Sequence, residues 1–206
     1  MAPSLDRRAA ATAILSLGRR LHARGWCEAT SGNFSQRLDA GRIAITVSGR
    51  DKAALQEADV MVVDAAGRPV DPPDARPSAE APLHCQLYRI RPEVGTVVHV
   101  HSPSATMMSR RFESKGEVLL EGYEMLKALS GVETHLHGEV LPVFANDQDA
   151  EALAHRVETR LRDESLHGYL LAGHGLYTWG RDAAEALRHV EALEFLLGCE
   201  WRGGAR

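Results

Sequence analysis

Thr96-Val97-Val98-His99-Val100-His101 lies near the middle of the 206-residue chain, with Gly95 before it and Ser102-Pro103 after it. Three valines in a short run bounded by glycine and Ser-Pro predict a buried strand. Side chains alternate faces along a strand, so His99 and His101, two apart, present their imidazoles on one side. Two neutral imidazoles on one rigid face suit a divalent zinc, iron, copper or nickel ion. Two histidines merely satisfied by hydrogen bonds at a strand end would show the same spacing, so the rest of the chain has to decide.

Outward from this strand, helical and strand periodicities alternate. Ala10, Ala13, Ile14, Leu17 and Leu21 predict a helix over 6–24, with Asp6 as cap and Gly25 as stop. Residues 33–38 and 42–47 predict a hairpin turning at Asp39-Ala40-Gly41, and 60–64 a further strand. Four prolines in 69–77 predict a loop with no regular element. Helices are expected over 78–91 and 103–112, a strand over 117–120 and a short helix over 123–129. A strand over 139–144, a helix over 147–164 and strands over 168–172 and 176–179 follow. Asp182 opens the last helix, with Glu185 completing a capping box. Interspersed helices and hairpins predict one α/β layered domain with a mixed sheet, without repeat or linker.

Composition narrows the function. Twenty-four basic and 28 acidic residues give a net charge of −4, which offers no bulk attraction to nucleic acid or anionic membrane. An anionic ligand would need a local site. Cys27, Cys85 and Cys199 are widely spaced with no CxxC, so reduced thiols are expected. No apolar run reaches 18 residues and no signal-peptide core stands at the start, which predicts a cytoplasmic protein.

A third ligand could come from His84, His135, His137, His155, His167, His174 or His189. His155 and His189 fall on polar helix positions and are expected to be solvated. His135 and His137 form a rival pair in a polar setting and read as rim residues. His174 stands between Gly173 and Gly175, where a tight turn can aim an imidazole into a cleft. An ordinary hairpin turn would look the same. Three histidines with an open position would be a catalytic arrangement, because structural zinc sites close with four protein ligands.

Three Gly/Ser stretches carry anion-binding chemistry: Ser31-Gly32-Asn33-Phe34-Ser35, Ser48-Gly49-Arg50-Asp51-Lys52 and Arg76-Pro77-Ser78. The last two are expected to precede helices, where backbone N–H groups, hydroxyls and a lysine suit a phosphate. Each alone is also a plain turn with a serine cap, and neither GxxxxGK[ST] nor GxGxxG occurs. Glu80 is expected in the first turn of its helix, a position that complements the helix dipole. Glu121 and Glu124 flank Tyr123, and spacing singles out neither.

Together these stretches resemble the class II aldolase/epimerase family of zinc-dependent sugar-phosphate enzymes. The resemblance runs from about Ala9 to Glu200 through SGNFS (31–35), ITVSG (45–49), RPSAE (76–80), HVHS (99–102) and GHG (173–175). LEGYEMLKAL (120–129), THLHGEVLPVFANDQD (134–149) and GHGLYTWG (173–180) are similar to its dehydratase branch. The resemblance implies a three-layer α/β/α sandwich around a mixed, mostly antiparallel sheet, with residues 1–206 as one domain. It makes His99, His101 and His174 the ligands of one Zn2+ per subunit, and Glu124 the leading acid/base with Glu80 second. Ser31, Gly32, Asn33, Ser48, Gly49 and Ser78 become phosphate-binding residues, and a homotetramer with sites at subunit interfaces is expected.

The implied reaction is loss of water from a 5-methylthio ketopentose 1-phosphate in methionine salvage, through a metal-stabilised enediolate. A sugar-phosphate aldolase or 4-epimerase is the alternative, and a metal-bound interaction protein without catalysis a more distant one.

Overall fold

The computed structural model of the chain describes residues 5–163 and 165–204. Nine strands form one sheet: β1 (Asn33–Arg37), β2 (Arg42–Thr46), β3 (Val60–Asp64), β4 (Pro69–Asp71), β5 (Thr96–Val100), β6 (Glu117–Glu121), β7 (Gly138–Phe144), β8 (Gly168–Leu171) and β9 (Gly175–Gly180). Their spatial order is β4-β3-β2-β1-β5-β9-β8-β7-β6, and every neighbouring pair is antiparallel except β7 with β8. Among the described residues five α-helices flank the sheet: α1 (Arg7–His22), α2 (Ala81–Ile90), α3 (Pro103–Phe112), α4 (Ala150–Asp163) and α5 (Ala183–Gly203).

Strand alternation sorts the apolar residues into two cores. Phe34, Val98, Val100 and Leu176 point to one face and pack under α1, α3 and α5. Ile43, Ile45, Val97, Tyr169 and Tyr177 point to the other and pack under α2 and α4. Each fully buried Val, Leu or Phe contributes about 1.5–3 kcal/mol relative to exposure. The sheet is thus covered on both sides, an α/β/α sandwich, and odd-numbered residues of β1 and β5 look toward α2. His99 shares that parity with Val97.

Several local expectations need correction. Residues 69–71 are a strand after all: the exposed β4 pairs with β3 at the sheet edge, where a proline's missing N–H is tolerated. No α-helix follows Ser48–Lys52, because the Asp51 side chain accepts the Ala53 N–H and turns the chain, leaving only a 3-10 turn at Glu57–Asp59. Glu80 stands at the N-cap of α2, before its first turn. Residues 124–128 form a 3-10 turn. Asp182 caps α5 through Glu185 N, yet the Glu185 carboxylate accepts from Arg181 N, so the capping box is not reciprocal. Asp6 flanks α1 without a side-chain cap bond. The expected end of the 147–164 helix, Glu164, lies outside the described residues. Among those described, no helix is long and apolar enough to cross a membrane.

Candidate metal centre

β5 pairs with β9, setting Val100 opposite Leu176, so the turn between β8 and β9 arrives beside the end of β5. That turn is closed by His174 N donating to Leu171 O at 3.0 Å, with Gly173 at φ 65° where a side chain would be strained. The Gly173 N–H donates to Ser109 Oγ and Thr106 Oγ1 donates to the His174 carbonyl, both at 3.0 Å, pinning the turn to α3. A Cβ on Gly175 would lie 2.1 Å from the Val100 carbonyl oxygen, so only glycine lets the two strands meet there.

The three imidazoles converge through Nε2. His101 lies 2.8 Å from His99, His99 3.3 Å from His174, and His174 3.1 Å from His101. Glu80 closes the group, 3.1 Å from His174 and 3.5 Å from His99, and all four donor atoms lie within 4.8 Å of one another. The His99 Nδ1–H donates to the Leu176 carbonyl at 3.0 Å and the His174 Nδ1–H to Asn146 Oδ1 at 3.3 Å. With those protons held outside, Nε2 lone pairs face one another. Zinc–nitrogen bonds of 2.0–2.1 Å at tetrahedral angles would put nitrogens roughly 3.3 Å apart, so the donor set fits a divalent cation. The His99 ring is stacked on Tyr177 at 3.9 Å between centroids, which fixes its plane.

Electrostatics agree with cation binding. Burial would raise the Glu80 carboxyl, but His99, His174 and the Asn33 amide outweigh it and hold it well below the usual carboxylate range. Burial drives His99 down, and it takes His101, beside His174, to about 4, with Glu80 opposing both shifts.

Glu80, His101 and His174 open onto a cleft of about 400 Å³, and Ser31, Gly32, Asn33, Ser48, Gly49 and Ser78 line the same cleft. Ser48 N donates to the Arg76 carbonyl, joining two of the three loops. Buried Lys52 also lines it, its ammonium donating to the Thr30 and Arg50 carbonyls at 2.8 and 2.6 Å. Asn33 is tied to Glu80 and His84, so most of its amide is committed within the protein.

Glu124 is not brought to the histidines. It is exposed, pairs with Lys127, and lies 3.8 Å from His135, outside the cleft lining. Its turn packs through Leu126 into the α1/α3/α5 core, on the opposite face of the sheet. The remaining histidines divide. His155 and His135 are exposed; His137 and His167 pair with the buried Glu139 carboxylate at 3.0 and 3.1 Å. His189 is buried rather than solvated, donating from Nδ1 to the Trp179 carbonyl at 2.7 Å, because its helix position faces the sheet. Asn146 and Tyr177 escaped sequence reading; both lie inside family-like blocks, but nothing in spacing marks a ring support.

Residues 12–201 match the family described as class II aldolase and adducin N-terminal domain. The chain belongs to the class II aldolase family. It is 54% identical over 190 residues to a methylthioribulose-1-phosphate dehydratase of Sorangium cellulosum (strain So ce56), covering 92% of this chain and 90% of that one. It is 57% identical over 182 residues to the protein of that name from Xanthomonas campestris pv. campestris (strain 8004), covering 88% and 83%. An L-fuculose 1-phosphate aldolase superposes with a TM-score of 0.80 at 21% identity, over 99% of this chain and 90% of that one, which shows the shared class II aldolase fold.

Proposed function

We propose that the protein is a zinc-dependent hydro-lyase that dehydrates 5-methylthioribulose 1-phosphate to 2,3-diketo-5-methylthiopentyl 1-phosphate in methionine salvage. One observation carries the reaction class: the His99, His101 and His174 Nε2 atoms converge on the same cleft as the Ser/Gly loops. The identity with dehydratases supports the substrate.

One Zn2+ per subunit, held by the three histidines, would supply Lewis-acid polarisation of the substrate carbonyl when bound. The chain's own groups do the rest. Ser31, Gly32, Asn33, Ser48, Gly49 and Ser78 hold the phosphate, which fixes the sugar's reach toward the histidines. Glu80, ionised beside them, is a proton acceptor within the cleft. The C3 proton is removed, the C4 hydroxyl takes a proton and departs as water, and the enol ketonises to the diketone. General acid or base assistance of this kind is typically worth about 10²–10⁴-fold.

We assign Glu124 as the principal acid/base, serving the cleft of a neighbouring copy. Its exposure and its place across the sheet from its own histidines support a homotetramer with sites at subunit interfaces. Three free cysteines suit the reducing cytoplasm.

The test is turnover of methylthioribulose 1-phosphate by metal-quantified protein. Diketone formation, lost with a chelator and restored by zinc, is expected. No turnover with zinc bound, together with cleavage or 4-epimerisation of ketose phosphates lacking the methylthio group, would overturn the assignment in favour of an aldolase or epimerase.

A further inference from the structure

Glu80, His84 and Tyr88 recur every fourth residue from the N-cap through α2, and so share one helix face. Asn33 and Ser35 alternate on β1 and face that helix, with Asn33 paired opposite His99. The two periodicities interlock into a chain of hydrogen bonds. Tyr88 Oη and Ser35 Oγ are 2.9 Å apart, and Ser35 Oγ lies 2.7 Å from His84 Nδ1. His84 Nε2 meets Asn33 Oδ1, and Asn33 Nδ2 donates to Glu80 Oε2 at 2.6 Å. Ser35, His84, Asn33 and Tyr88 are each at most 4% exposed, so these bonds are largely shielded from solvent.

Only one direction of donation satisfies every member. Asn33 can give an N–H to the Glu80 carboxylate only by turning its oxygen to His84. His84 must then carry its proton on Nε2, which leaves Nδ1 to accept from Ser35, whose oxygen accepts from Tyr88. A flipped Asn33 amide would set its oxygen against the carboxylate and its N–H against another N–H. Buried networks of this kind rigidify when fully satisfied.

We propose that Ser35, His84 and Tyr88 are positioning residues, a buried relay that locks the Asn33 amide and thereby holds the Glu80 carboxylate against the three histidines. None of them lines the cleft; they reach Glu80 through Asn33, while His84 also meets the Tyr177 ring edge-on at 5.8 Å between centroids, a contact that Ser35→Ala leaves in place. The proposal rests on the metal-centre reading above. It makes the orientation of Glu80 depend on a helix-buried tyrosine two hydrogen bonds behind the histidine that neighbours Asn33.

The test uses the full-length protein with His84→Leu, His84→Gln and Ser35→Ala. Zinc affinity is read by competition with a chromophoric chelator, and folding by thermal melting of the metal-free protein. Glu80 packs against the His174 and His99 rings at 3.1 and 3.5 Å, and losing an outer partner of metal-binding imidazoles typically lowers affinity 10–100-fold, so His84→Leu is expected to weaken zinc by roughly tenfold or more. His84→Gln, which restores a donor to Asn33 Oδ1, is expected to recover most of that loss. Nitrogen NMR of the parent should show His84 protonated on Nε2, and Ser35→Ala should weaken zinc while shifting that tautomer.

A folded His84→Leu protein with parental zinc affinity would overturn the proposal, and so would His84 protonated on Nδ1. Should His84→Leu fail to fold, Ser35→Ala decides: unchanged affinity refutes the relay. These readouts need no turnover. A protein that fails the dehydratase assay can still pass here, and in an active one the relay variants should lower kcat more than they raise KM, since Asn33 alone among the phosphate-binding residues lies on the relay.

Discussion

His174 gives its Nδ1–H to Asn146 Oδ1 at 3.3 Å, tying the turn after β8 to the loop after β7. The bond orients the ring from behind, on the side away from the cluster. His174→Ala is therefore expected to strip most bound metal, and Asn146→Ala to weaken zinc by about tenfold while leaving the site able to bind. Elemental analysis after dialysis against a weak chelator checks both. Full metal retention by His174→Ala would mean that Glu80 completes the site with His99 and His101, since His135 and His137 lie beside Glu124 and Glu139 instead.

Glu124→Gln is expected to abolish dehydration with zinc content unchanged, because its carboxylate lies outside the cluster of donors. If it serves a neighbour, co-expressing Glu124→Gln with His174→Ala should restore activity at roughly a quarter of sites, where one copy brings the metal and the next the acid, as a closed symmetric ring allows. Two inactive variants that stay inactive together would return Glu124 to its own subunit or to no role.

Glu194 sits wholly buried on α5, with Ser102 Oγ donating to its Oε2 at 2.5 Å. Burial pushes its carboxyl up to about 7, partly opposed by Ser102. The folded chain thus holds this proton more tightly than the unfolded chain, where a glutamate titrates near 4.3. The stabilising contribution is complete below about pH 4.3 and is lost as pH rises to about 7. Glu194→Gln is expected to be more stable than the parent at pH 8, by up to about 3 kcal/mol, with the gap closing near pH 4. Melting curves at the two pH values decide, and an equal difference at both would refute the titration.

Gly175→Ala should be strongly destabilising, by about 3 kcal/mol or more, since its Cβ would fall 2.1 Å from backbone rather than from a flexible side-chain end. Denaturant unfolding measures it. A loss under about 1 kcal/mol would mean that β5 and β9 can part without cost.

Much of the fold was legible because burial and period coincide. Strand β3 and helix α3 take the expected bounds, and the hairpin turns at Asp39, whose carboxylate accepts the Gly41 and Arg42 N–H groups. Edge strand β4 was hidden because its residues are all exposed, so no alternation marks it. His99 and His101 could be paired by parity alone, since their geometry is local. His174 needed the β5–β9 register, which spacing does not carry. His189 misled because a buried polar residue satisfied by a backbone carbonyl looks in sequence like a solvated one. Ser35 and His84 lay in plain view on two different periods, and only packing brought the periods together.

The cluster draws on chain positions 80, 99, 101 and 174, and His174 arrives by a pairing that spans some 75 residues. Long-range strand pairings of this kind form slowly, after local structure. His99 and His101 can meet an ion as soon as β5 is extended, but a two-nitrogen site is weak and unselective. The full donor set exists only once β9 has docked and α2 has brought Glu80 across. A metal held by this donor set would thereby be chosen by the finished fold and not by the β5 pair alone.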